Sequence, residues 1–310
     1  MKGSMFRLAA TATALALAGP ALGAEPRALN AKDETLLKKL EARIDAVDSA
    51  FDGSLGVAIV DLASGRQIVR LGDDTFPAAS IIKVPLLVAL FHQDQTGRGA
   101  RLGDAYVVDA KDLVADSAML AGMTPGVTRL TNRDLTTFMM GVSDNGATNV
   151  LIDRVGMENV NTLLEELGLK QTRLRRKMMD VAAAKAGREN TVTPAELATL
   201  LARLQNGEVL DAGHTEGFLK ALATPKESYL GLPDGTRYAC KTGELEGVRG
   251  EAGIVYATGR PFVIVVLTAL AGDEERAEQA LAEVGRAAFL TFDRLGRATS
   301  LGRVLYPRAP

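Results

Sequence analysis

Ser80 and Lys83 stand three residues apart where Phe76-Pro77-Ala78-Ala79 gives way to an apolar helical run, so one helix face presents a hydroxyl and an amine together. A serine hydroxyl is a weak nucleophile near neutral pH and needs a base. Lysine can serve once burial or a second cation destabilises its ammonium. The positive end of the helix adds to that effect, and the Ser80 amide can point at a developing oxyanion. Ser-x-x-Lys alone arises by chance in many chains and equally describes a helix cap beside a surface lysine. Two further stretches shift the balance: Ser143-Asp144-Asn145 follows a helix ending near Gly141, and Lys241-Thr242-Gly243 closes a predicted strand. A specified tripeptide arises roughly once in several thousand positions, so both together, in this order, are a strong signal that the Ser80–Lys83 pair is no chance match.

With these motifs the chain resembles the class A β-lactamases and the penicillin-binding D-alanyl-D-alanine peptidases that share their fold. The likeness runs over nearly the whole chain after the first 24 residues. It implies that Ser80 attacks an amide carbonyl, that Lys83 accepts its proton, and that Ser143 relays a proton to the leaving nitrogen. It also implies that Asn145 holds the acyl-amide side of the substrate, that Lys241, Thr242 and Gly243 form its carboxylate subsite, and that Arg249 is a second carboxylate contact. The amides of Ser80 and Glu244 would form the oxyanion hole. Asp144 reads as a cap at a helix junction. His92 and His214 read as packing or surface residues, since neither has a second histidine at metal spacing, and no metal or cofactor is expected.

The resemblance breaks on the segment from Arg176 to Asn190, where a class A β-lactamase carries the glutamate that activates the deacylating water. Counting from Thr172-Arg173-Leu174 places Met178 at that position, and counting back from Pro194 places Lys177 there. The asparagine that would share the water is replaced, with Ala182 nearest. At the neck Asn190 faces Arg176, so a neutral hydrogen bond is expected in place of an ion pair. General-base assistance is worth about 10²- to 10⁴-fold, so an acyl-enzyme lacking it should hydrolyse slowly unless Asp180 or Glu189 substitutes. Three readings stay open. The first is a β-lactamase-like hydrolase with slow deacylation, and the second a D-alanyl-D-alanine carboxypeptidase acting on peptidoglycan peptides. The third is a non-hydrolytic β-lactam sensor or binding module.

The elements that must bring these stretches together are legible from periodicity. Leu36, Leu37, Leu40, Ile44 and Val47 predict a helix over about Lys32 to Ser49. Strands follow at Leu55 to Asp61 and Gln67 to Leu71, and three more at Arg237 to Thr242, Gly250 to Tyr256 and Phe262 to Leu270, before a helix over about Glu274 to Leu290. From Ser80 to Leu222 the pattern is almost wholly helical. Thr131 with Asp134 and Thr193-Pro194 with Glu196 mark helix starts, and Asn206-Gly207 marks a stop. The expected fold is α/β of the α+β type, an antiparallel five-stranded sheet flanked by helices. Residues 25–75 and 223–310 form a discontinuous α/β domain, and residues 76–222 an inserted all-helical domain.

Residues 1–24 read as a cleaved signal peptide: Lys2 and Arg7 precede an apolar run from Leu8 to Leu17, and small residues end at Gly23-Ala24. The expectation is an exported, periplasmic or secreted protein. The single cysteine, Cys240, excludes an internal disulfide, and in an oxidising compartment it is expected to be buried. Charge is balanced, with 36 Lys+Arg against 38 Asp+Glu and no long single-sign block, so no nucleic-acid footprint is present. The expected partner is a small molecule, a β-lactam or a D-Ala-D-Ala peptide, bound by a monomer that stays off the membrane after signal cleavage.

Overall fold

The computed structural model describes residues 29–306, so the signal-peptide stretch lies outside the described residues. Helix α1 (Ala31–Ala50) leads into the hairpin of β1 (Ser54–Asp61) and β2 (Gln67–Arg70). The middle of the chain holds β3 (Phe76–Pro77), α2 (Lys83–Thr96), β4 (Ala105–Val107), β5 (Arg129–Thr131), α3 (Asn132–Gly141) and α4 (Asn145–Val155). It continues with α5 (Met157–Glu166), α6 (Val181–Lys185), β6 (Thr191–Val192), α7 (Pro194–Gln205) and α8 (Ala212–Leu222). Strands β7 (Tyr238–Leu245), β8 (Val248–Val255) and β9 (Phe262–Ala269) and the long α9 (Glu274–Arg297) complete the described chain. The strands join as one antiparallel five-stranded sheet in the order β2-β1-β9-β8-β7, which makes β7 a free edge.

Both faces of this sheet are covered, and the alternation of side chains along a strand explains why its central strands read as unbroken apolar runs. Val57, Ile59, Ile264 and Val266 pack with Leu37, Leu40 and Phe292 in one core, beneath α1 and α9. Ala58, Val60, Val263 and Val265 point the other way, into the core shared with α2 and α7. Helix α2 is buried on nearly every side from Lys83 to Phe91. Pro85 falls in its first turn, where a backbone N–H has little use, and this accounts for a proline so close to the nucleophile.

Local signals place the helix starts as expected. Thr131 and Asp134 exchange a reciprocal capping box at α3, and the Thr193 hydroxyl accepts from the Glu196 amide with Pro194 opening α7. The carboxylate of Glu196 does something the sequence did not suggest. It accepts the amides of Lys170, Gln171 and Thr172 at 2.6, 2.9 and 2.6 Å, tying down the chain that leads into the segment after α5.

Several boundaries differ from expectation. Strand β7 runs on to Leu245 and β8 starts at Val248, because Glu246 and Gly247 alone turn the chain, with Gly247 at φ +69°. Helix α9 extends seven residues past Leu290, to Arg297. The insert is not purely helical: β3 pairs with β6 and β4 with β5, and α7 lies directly on β1 and β9.

Candidate active site

Ser80 lies on a tight 3-10 turn, Ala79–Ile82, that feeds directly into α2, so Lys83 is the first residue of the α-helix. Ala79, just before the nucleophile, sits at φ +45°, and Ser143 sits at φ +57°. Left-handed backbone at non-glycine residues costs on the order of 1–3 kcal/mol each and persists only where the surroundings impose it. At Ala79 the sheet imposes it. Gly243 of β7 pairs with Gly250 of β8, leaving a groove in which the turn rests. A Cβ at Gly243 would come 3.0 Å from Ile81 Cγ1 and 3.1 Å from Ala79 Cβ, and one at Gly250 would come 2.8 Å from Ile81 Cδ1. Glycine is required at both places by close approach of the chains.

The groove brings the three motifs together. Lys83 Nζ lies 2.9 Å from Ser80 Oγ, 2.8 Å from Ser143 Oγ, 2.6 Å from the Ser143 carbonyl and 3.0 Å from Asn145 Oδ1. Ser143 Oγ is itself 2.9 Å from Ser80 Oγ. Lys83 is fully buried, and burial, followed by the nearby positive charge of Lys241, pushes its ammonium well below the usual lysine range. A neutral amine has two N–H donors and one lone pair. It can donate to the Ser143 carbonyl and Asn145 Oδ1 and accept the proton of Ser80, an arrangement suited to a general base.

Asp144, fully buried, caps α4 through the Ala147 amide at 2.9 Å and accepts the Met119 and Leu120 amides, both at 2.9 Å. It is structural, as its place at a helix junction suggested. Cys240 is buried within β7, and burial holds its thiol well above the usual range, so it stays protonated and quiet.

On the free edge, Lys241 is 1% exposed and donates to the Thr242 carbonyl at 2.9 Å. Burial, and then the charge of Lys226, lowers its ammonium to about 8. Thr242, half-buried, and Glu244, exposed, follow on the same edge, and the Glu244 carboxylate accepts the Tyr229 hydroxyl. Arg249 does not join this group as a free cation. Its guanidinium is 9% exposed, paired with Glu274 and Glu278 of α9, and it also donates to the carbonyls of Leu245 and Val248. The tight hairpin turn places Arg249 opposite Glu244 in the ladder, from where it reaches the start of α9.

The segment from Arg176 to Asn190 corrects two more expectations. Asn190 Oδ1 accepts the amides of Arg175 and Arg176 at 2.7 and 3.0 Å and its Nδ2 donates to the Arg176 carbonyl, so the neck does carry neutral bonds. An ion pair persists beside them: the Arg176 guanidinium meets Glu189 at 2.7 Å. Glu189 is thereby engaged at the neck, and Asp180 caps α6 through the Ala183 amide. Asn149, four residues after Asn145 on the same face of α4, clamps the Met178 backbone, accepting its amide at 2.7 Å and donating to its carbonyl at 3.1 Å. Met178 is buried in the core shared with Ile81, whereas Lys177 turns outward to Asp153 at 2.7 Å. The count from the front of the segment therefore finds the inward position. The Asn190 carbonyl accepts the Ala78 amide at 2.8 Å, which joins the segment to the nucleophile's own turn.

Sequence reasoning missed Asn149, the bonds of Glu196 to the Lys170, Gln171 and Thr172 amides, and the brace formed by Glu251. Glu251 is fully buried on β8, where it accepts Ser228 Oγ at 2.8 Å and the Tyr229 amide at 2.7 Å, and burial raises its carboxyl above the usual range. A carboxylate inside an otherwise apolar strand was the available signal. Among the described residues there is no cluster of His, Cys, Asp and Glu able to hold a metal ion, and no helix is long and apolar enough to cross a membrane.

The model of the β-lactamase enzyme family matches residues 39–292. β-Lactamase L2 of Stenotrophomonas maltophilia is 30% identical over 299 residues, covering 91% of this chain and 95% of its own. A β-lactamase of Streptomyces fradiae is 28% identical over 289 residues, covering 90% and 91%. The crystal structure of a Sphaerobacter thermophilus β-lactamase superposes with a TM-score of 0.73 at 30% identity, over 82% of this chain and 97% of that one. A leucine-to-glutamate mutant of PBP-A, solved as its acyl-enzyme with penicillin G, superposes with a TM-score of 0.76 at 28% identity, over 83% and 97%.

Proposed function

The chain belongs to the β-lactamase enzyme family and is a β-lactamase-like serine hydrolase, and from that premise we propose that it opens β-lactam amides through a Ser80 acyl-enzyme that deacylates slowly. One observation carries the reading: a buried amine, Lys83, within hydrogen-bond reach of both the Ser80 and Ser143 hydroxyls. Lys83 takes the Ser80 proton as Oγ attacks the carbonyl, and Ser143 passes a proton to the departing nitrogen. The amides of Ser80 and Glu244 receive the oxyanion, Asn145 holds the acyl-amide side, and the carboxylate of the substrate sits on Lys241, Thr242 and Gly243.

Deacylation is the weak step. Met178 occupies the inward position of the segment and offers no base, while Glu189 is paired with Arg176 and Asp180 with a helix cap. The same observation favours a second reading, a D-alanyl-D-alanine carboxypeptidase acting on peptidoglycan peptides. Either activity belongs outside the cytoplasm, in keeping with the signal-peptide character of residues 1–24.

Intact-mass spectrometry over time, with a penicillin and separately with a D-Ala-D-Ala peptide, tests both. A penicillin adduct that persists for many minutes is the expected result, with peptide turnover selecting the peptidase. Rapid disappearance of the adduct would contradict slow deacylation, and no adduct at all would remove the proposal. A pH profile supplies a second check. The charge on Lys241 that attracts a carboxylate is present below about 8 and lost above it. The second-order rate of acylation by a penicillin should therefore fall on the alkaline side with a midpoint near that value, since this rate reports the free enzyme. A flat profile through pH 9 would contradict an anion held by a Lys241 ammonium that titrates at about 8.

A further inference from the structure

Asp116, in the connection between β4 and β5, shares the left-handed backbone of Ala79 and Ser143, at φ +53°. Aspartate tolerates that conformation better than most residues, and bonds on either side fix it to the head of α4. The Asp116 carbonyl accepts the Asn145 amide at 3.2 Å, and Ser117 Oγ accepts the Gly146 amide at 2.7 Å. Asp144 accepts the Met119 and Leu120 amides just beyond. The approach is close, since a Cβ at Gly146 would come 2.4 Å from the Asp112 carbonyl oxygen and 2.9 Å from Ser117 Oγ. Residues 116–120 are therefore bound to the stretch that carries Ser143 and Asn145.

The Asp116 side chain takes no part in this anchoring. The residue is exposed, and among the described residues its carboxylate has no hydrogen-bond or ion-pair partner. It nevertheless stands close enough to Lys83 for its negative charge to favour the ammonium there, whereas Lys241 acts on the same group with the opposite sign. Asn145 links the two groups: its backbone amide binds Asp116, and its Oδ1 accepts Lys83 Nζ at 3.0 Å. In the acyl-transfer reading Asn145 holds the acyl-amide side of the substrate and Lys241 its carboxylate, so Asp116 borders the acyl side. A rim carboxylate with no protein partner attracts a counter-charge that a ligand brings and repels a second anion. We propose that Asp116 is a specificity-determining residue that selects substrates carrying a primary ammonium on the acyl side chain; this rests on the acyl-transfer reading above.

The test compares ampicillin with benzylpenicillin, which differ by one amino group on the acyl side chain, by the second-order rate of acylation at about pH 6, where that amine is protonated. Asp116→Asn keeps the size and the tolerance of left-handed backbone while removing the charge. Its effect through Lys83 falls on both compounds, so the ampicillin-to-benzylpenicillin ratio isolates the direct contact. That ratio should fall about two- to fivefold in Asp116→Asn, the range of an exposed ion pair. In the native protein it should fall by a similar factor at about 1 M salt, where the Debye length is about 3 Å, and in Asp116→Asn salt should leave it unchanged. A ratio equal in native and variant, or higher in the variant, would overturn the assignment, as would a native ratio indifferent to salt. If the native protein is acylated by neither penicillin, the acyl-transfer reading itself fails; acylation by both with an unchanged ratio fails this inference alone.

Discussion

Ser80→Ala should abolish the covalent penicillin adduct, and Lys83→Met should slow its formation by about 10²- to 10⁴-fold, the range spanned by general-base assistance. The two variants separate nucleophile from base. Ser80→Ala removes the atom that becomes acylated. Lys83→Met leaves that atom in place and replaces a buried amine with an apolar chain of similar length, so the hydroxyl must lose its proton without help. Lys83 is fully buried and donates to the Ser143 carbonyl and Asn145 Oδ1, so Lys83→Met leaves these acceptors unsatisfied at a cost of about 1–3 kcal/mol. The melting temperature of Lys83→Met should therefore fall modestly while acylation collapses. Intact-mass labelling under saturating penicillin reads both effects. An adduct on Ser80→Ala at the native rate would place the nucleophile elsewhere, and a Lys83→Met variant acylated at the native rate would assign the base to another group.

Met178→Glu should shorten the lifetime of the acyl-enzyme by about 10²- to 10⁴-fold, because it places a carboxylate at the inward position that lacks one. The backbone there is already held. Asn149 bonds both the amide and the carbonyl of Met178, so the new side chain would inherit a fixed direction. Burying a carboxylate at a site 7% exposed has a cost, and a loss of stability of about 1–3 kcal/mol should accompany the gain. Lys177→Glu is the informative contrast. Its native side chain lies outward against Asp153, so a glutamate there would face a like charge at the surface and leave the acyl-enzyme lifetime unchanged. A faster Lys177→Glu with an unchanged Met178→Glu would mean that the two positions had been assigned in the wrong order. No change in either would detach slow deacylation from this segment.

Much of the fold was legible because its causes are local. Apolar β-rich runs and turn residues mark the five strands, the Thr131 and Thr193 caps mark α3 and α7, and the hydroxyl-amine and tripeptide motifs mark stretches that meet around Lys83. Each of these signals is contained within a few consecutive residues. The boundaries that slipped did so where a neighbouring strand supplied the missing support, as at β7, whose last three residues are held by their ladder with β8.

The pairing of charges followed a different rule. Arg176 found Glu189 rather than Asn190, and Arg249 was taken by Glu274 and Glu278. An ion pair depends on distance between atoms whose positions are set by separate elements, and Arg249 and Glu274 lie 25 residues apart. Composition and spacing list the charges that are available; the twist of a sheet and the length of one hairpin turn settle which of them meet.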